Sequence, residues 1–133
     1  MRREREIYTI IDDNGHPFTY GSSKSCANSY FLDPVNDDSL LLSDMDPDKA
    51  DEVLKLLRGW FEKSSKTSLR HTSYGMKHWV EDVICEYFSN NQLKDAMLTL
   101  GFEPSNWYEL NWCFKVKPTE ELKEFLEKTG RHW

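Results

Sequence analysis

The chain has 133 residues, a formal net charge of −6 and 14% aromatic side chains. That length fits a single domain, residues 1–133, which buries roughly two-thirds of its unfolded surface and can stand without disulfides or metal. Its three cysteines, Cys26, Cys85 and Cys113, are odd in number and far apart, which argues against a disulfide framework or a zinc knuckle and for a reducing cytoplasm.

The elements follow in order. Ile7-Tyr8-Thr9-Ile10-Ile11 and Phe18-Thr19-Tyr20 flank Asp12-Asp13-Asn14-Gly15, which predicts a hairpin because Asn-Gly supplies the positive φ angles of a tight turn. Residues 21–29 are Ser-rich and read as a loop. Short strands are expected around Tyr30-Phe31-Leu32 and Leu40-Leu41-Leu42. Asp46 and Pro47 mark the cap and first position of a helix. Its apolar side is Ala50, Val53, Leu54, Leu57, Trp60 and Phe61, and it should end near Glu62. A second helix starts at Thr72 or Ser73, with Met76, Trp79, Val80, Val83, Ile84 and Tyr87 as its stripe. Ser89 and Gln92 have capping-box spacing for a third helix, which Gly101 closes with Phe102 packing on Met97. Leu110, Trp112, Phe114 and Val116 alternate with polar neighbours and predict a strand over 110–117. A fourth helix follows Pro118, capped by Thr119 and ended by Gly130. The expected fold is α+β: a small antiparallel or mixed sheet, hairpin plus strand 110–117, with about four helices on one face.

No apolar run nears the roughly 18 residues of a membrane span. Residues 1–6 carry bases but no apolar stretch follows, unlike a signal peptide. Charge is segregated. Residues 33–52 hold eight acids and one base, whereas residues 63–80 hold four bases and no acid. Either stretch reads as a solvated face or as a binding surface of its own sign.

Familiar motifs fail on chemistry. Asp44, Asp46 and Asp48 open like a calcium loop, but its sixth and twelfth positions carry Lys49 and Lys55, and an ammonium at the bidentate position repels the ion. Gly21-Ser22-Ser23-Lys24-Ser25 lacks the glycines that let backbone amides wrap a phosphate. The histidines have no third ligand nearby, so no metal or other cofactor is expected.

Two constellations remain. Arg70, His71, Tyr74, Lys77 and His78 gather cations, imidazoles and a helix start, a composition that suits a phosphate or carboxylate. Asn90, Asn91 and Gln92 begin the second helix of a helix-turn-helix-like pair over 73–100, where such residues read adenine, although Lys94 is the only base on that helix.

The stretch Thr72-Ser73-Tyr74-Gly75-Met76-Lys77-His78, with Tyr87-Phe88-Ser89-Asn90, Ala96-Met97-Leu98 and Gly101-Phe102, is similar to a pattern in small uncharacterised proteins of phages, plasmids and conjugative elements of gut bacteria. It covers about residues 70–116 and implies context, the cytoplasm of a bacterial host, but no activity. Small acidic proteins of such elements include inhibitors of defence nucleases. The expectation is therefore a non-enzymatic interaction protein whose carboxylates Asp33, Asp37, Asp38, Asp44, Asp46 and Asp48 meet a basic partner such as the nuclease Cas9. The alternative is nucleic-acid binding through Arg70, Lys77 and residues 90–92. A small enzyme using His71, Tyr74 and His78 is the third class.

Overall fold

A computed structural model describes residues 9–11, 17–19, 42–106 and 111–133. The expected class holds: the described residues form an α+β arrangement of four α-helices and short antiparallel strands. The strands do not make one sheet. β1 (Thr9–Ile11) pairs with β2 (Pro17–Thr19), and β3 (Phe61–Lys63) pairs with β4 (Val116–Pro118). In the hairpin Thr9 faces Thr19, Ile10 faces Phe18 and Ile11 faces Pro17. The expected turn at 12–15, the loop at 21–29 and the strand near 30–32 lie outside the described residues. Leu42, expected to end a strand, opens a 3-10 turn, Leu42–Asp44.

Helix α1 (Pro47–Trp60) begins as the sequence predicts. The Asp46 carboxylate accepts hydrogen bonds from the amides of Asp48 and Lys49, and Pro47 needs no donor there. Ala50, Val53, Leu57 and Trp60 form its buried side. The helix stops two residues early. Phe61 turns to extended backbone and pairs with Pro118, while Glu62 faces Lys117 and Lys63 faces Val116. Three residues carry no strand signal of their own, and tertiary pairing decides their conformation.

The strip 112–118 organises the rest. The strand expected over 110–117 is regular only at Val116–Pro118, with Phe114 in an isolated bridge and Leu110 outside the described residues; Trp112, Phe114 and Val116 are buried and Lys115 and Lys117 exposed. Cys113 is buried too, its thiol 3.9 Å from the Leu69 carbonyl. On one side the amides of Ser64, Ser68 and Ser73 donate to the carbonyls of Lys115, Phe114 and Trp112. On the other, Ser105 donates to Cys113 and Lys115 to Glu103, around a bridge between Pro104 and Phe114. Irregular chain thus satisfies backbone groups that a regular ladder would otherwise serve.

Helix α2 (Ser73–Ile84) is capped by Thr72, whose hydroxyl accepts from Gly75. Met76, Trp79, Val80 and Ile84 are buried, but Val83 and Tyr87 of the expected stripe are exposed. Cys85 ends the helix at φ 58°, ψ 34°, a left-handed residue that turns the chain aside. Tyr87 therefore points out and Phe88 takes the interior position.

Helix α3 (Asn90–Thr99) has the full capping box: Ser89 accepts from the Gln92 amide, and the Gln92 side chain accepts from the Ser89 amide. At its other end Gly101 donates to Leu98 and Phe102 to Met97, with φ 88° at Gly101, the paired bonds of a left-handed helix stop. Helix α4 (Glu120–Lys128) is capped by Thr119, whose hydroxyl donates to the Gly59 carbonyl at 2.6 Å and so ties the end of α1 to the start of α4. The ring of Phe125 on α4 lies 4.8 Å from that of Trp60.

Candidate interaction surface

The acidic start of α1 faces outward. Asp44, Asp46, Asp48, Asp51 and Glu52 are all exposed. Asp46 spends its carboxylate on the helix cap. Asp48 lies one helical turn from Asp51 and Glu52, a spacing of about 5–6 Å between their β-carbons. Glu52 pairs with Lys49 at 3.5 Å. Asp33, Asp37 and Asp38 lie outside the described residues.

The α2 constellation is not an open cation cluster. Arg70 donates to the carbonyl of Trp133 at 3.1 Å. Lys77 is only 7% exposed: its ammonium sits 5.4 Å from the Tyr74 ring and 5.0 Å from the Tyr87 ring, and donates to Glu81 at 3.3 Å. The Nδ1 of His78 approaches the same Glu81 oxygen to 2.9 Å, while the other oxygen accepts from the Phe88 amide. The helix start is also occupied, because Ser73 donates to Trp112 and Gly75 to Thr72. An anion would have to displace these partners. Beside the exposed Arg70 and His78, two aromatics face solvent: Tyr74 and Tyr87 are 52% and 58% exposed, braced by Lys77 and, for Tyr74, by the His78 ring at 4.9 Å.

His71 has a different environment. Its imidazole packs against the rings of Trp79 and Trp133, at 5.0 and 4.7 Å. Burial first, and the Arg70 charge second, hold its pKa below the ordinary 6.5. It belongs to an aromatic seat rather than to a pair with His78.

The turn at 90–92 is largely enclosed. Asn91 and Gln92 are buried, at 3% and 4% exposure. Gln92 closes the capping box, and Asn90 donates to the Asn111 side chain at 3.0 Å. Lys94, the only base on that helix, is fully buried with its ammonium 4.6 Å from the Trp112 ring. Asp95 is buried beside it and accepts from the Leu42 amide at 2.9 Å. Residues 91–97 of this helix are buried, and Asn90 is half-buried.

Among the described residues no group of three or more His, Cys, Asp and Glu is placed to hold a metal ion, and no helix is long and apolar enough to cross a membrane. A groove of about 790 Å³ runs between α1 and α4, with Leu56, Trp60, Val83 and Phe125 among its lining. Sequence reasoning missed the groove and the Trp133 seat. The available signal for the seat was a bulky aromatic standing just beyond a helix-ending glycine. Comparison of this chain with family models, with curated proteins and with solved structures finds no match.

Proposed function

We propose that this chain is a non-enzymatic interaction protein of a phage or mobile element that binds a basic protein surface. A host defence nuclease such as Cas9 is the first partner to test. One observation supports the reading: the carboxylates at the start of α1 are exposed, whereas Lys77 of the basic stretch is buried and held by Glu81. A basic partner would meet Asp48, Asp51 and Glu52 in the first turns of α1, with Lys49 already paired to Glu52. Opposite charge speeds encounter and disfavours nucleic acid. The exposed tyrosines Tyr74 and Tyr87 add large, stiff surfaces of the kind that anchor interfaces.

The nucleic-acid alternative is the weaker reading, because DNA affinity rests on phosphate neutralisation and Lys77 and Lys94 are buried. The test is capture of purified Cas9 in the presence of labelled DNA, at low and moderate salt. The expected result is nuclease bound and DNA excluded. Converting Asp44, Asp48 and Asp51 to Lys, which spares the Asp46 cap, should slow association about tenfold or more at low salt. Unchanged association would overturn the acidic-face reading, and capture of DNA alone would replace it.

A further inference from the structure

The groove between α1 and α4 has walls of opposite charge pattern. The two helices are joined at one end, where the Thr119 hydroxyl meets the Gly59 carbonyl and a β-carbon added at Gly59 would run into the Glu121 carboxylate. Both line the groove from that joint, α1 read backward and α4 read forward. Going outward, the α1 rim carries Arg58, Lys55 and Glu52, and the α4 rim carries Glu121, Glu124 and Lys128. Spacings of three and four residues keep each set on one helix face. Two bases and an acid therefore stand across from two acids and a base.

These charges are not spent on each other. All six residues are exposed, and among the described residues only Glu52 makes an ion pair, with Lys49 of its own helix. The floor between them is apolar. Trp60 is buried and Leu56 and Phe125 are partly buried, while Val83 is 37% exposed although it belongs to the apolar stripe of α2.

We infer that a second copy of this chain docks on the groove, about a two-fold axis running along it. A two-fold contact requires a surface complementary to itself, and this one meets the requirement. The rotation lays α1 of one copy over α4 of the other. Arg58 then faces Glu121 of the other copy, Lys55 faces Glu124 and Glu52 faces Lys128, each pair formed twice, and the apolar floors close on each other. Charge also favours this face for self-contact. The chain carries −6, so copies repel as they approach, but here three bases balance three acids. The face shares only Glu52 with the acidic start of α1, and the inference does not rest on the function proposed above.

The experiment is sedimentation equilibrium of the full chain in reducing, low-salt buffer. A monomer–dimer equilibrium is expected below about 1 mM. Lys55→Glu and Glu124→Lys each make two attractive pairs of the dimer repulsive, so either alone should weaken association at least about tenfold. Mixed in equal amounts, the two variants regain attraction in both pairs and should associate about as tightly as the unchanged chain, a recovery that a role within one copy would not produce. Val83→Asp places a charge on the floor at a solvent-exposed position and should abolish the dimer, with circular dichroism showing that the helices remain. A chain that stays monomeric at about 1 mM overturns the inference. So do charge variants that associate unchanged, a mixture that does not recover, or a folded Val83→Asp variant that still dimerises. Growth beyond the dimer would indicate a head-to-tail contact and overturn the two-fold form.

Discussion

Cys85 is the non-glycine residue with positive φ among the described residues, at φ 58°, ψ 34°. An L-residue in that region crowds its β-carbon against the following carbonyl, at roughly 1–2 kcal/mol. Replacing Cys85 by Gly removes the crowding but frees the unfolded chain, which takes back about 0.4–1 kcal/mol. The capping bond from the Cys85 amide to Glu81 is a backbone contact and survives. The thiol's contacts to the Asp82 and Val83 carbonyls, each 3.9 Å, are long and add little. The exposed sulfur fills no core space. Cys85→Gly should therefore stabilise the fold by about 0.5–1 kcal/mol, raising Tm by roughly 2–4 °C for a chain of this length. Cys85→Val, whose branched β-carbon suits the region worse, should lower it. Chemical denaturation with a constant m-value measures both. Loss of stability in the glycine variant, or no difference between the two, would refute the argument that strain at this residue ends α2.

Other perturbations test the same structure. Ser89→Ala removes the acceptor of the Gln92 amide in a buried capping box and should cost about 1–2 kcal/mol in denaturant unfolding. Trp112→Ala empties a fully buried site beneath Lys94; a loss of about 3–5 kcal/mol is expected, enough to unfold much of the chain. Stability should also fall with acid at His71. Its native pKa is lowered, so below about 6.5 the unfolded state binds more protons and stability declines as pH drops. His71→Phe should flatten that slope between pH 7.5 and 5.5 in parallel denaturation series.

The elements with strong local chemistry were legible. Asp46-Pro47, Thr72, Ser89 with Gln92 and Thr119 each place a helix start because the cap and its backbone donors lie within three residues. Gly101 and Gly130 mark stops for a similarly local reason. What was misread depends on distant partners. Phe61 leaves the helix because Pro118 is there to pair with it. Tyr87 leaves the apolar stripe because Cys85 turns left-handed, which no cysteine announces.

The candidate site divides along the same line, and the division bears on what the surface can do. A residue's formal charge is visible in sequence, but its availability is not. Lys77 and Lys94 count as cations on paper, yet both are buried, Lys77 held by Glu81 and flanked by two tyrosines, Lys94 over the Trp112 ring. Arg70 holds the Trp133 carbonyl, and Arg131 pairs with Asp82 of α2. Burying a cation requires a partner or an aromatic face in its reach, so each of these bases is committed to a particular neighbour. The acids at the start of α1 carry no such requirement, since a helix start favours negative charge while leaving it in water. The same physics that draws these bases toward the fold leaves the exposed acids of α1 outside it, and a partner approaching that end of α1 meets mainly carboxylates.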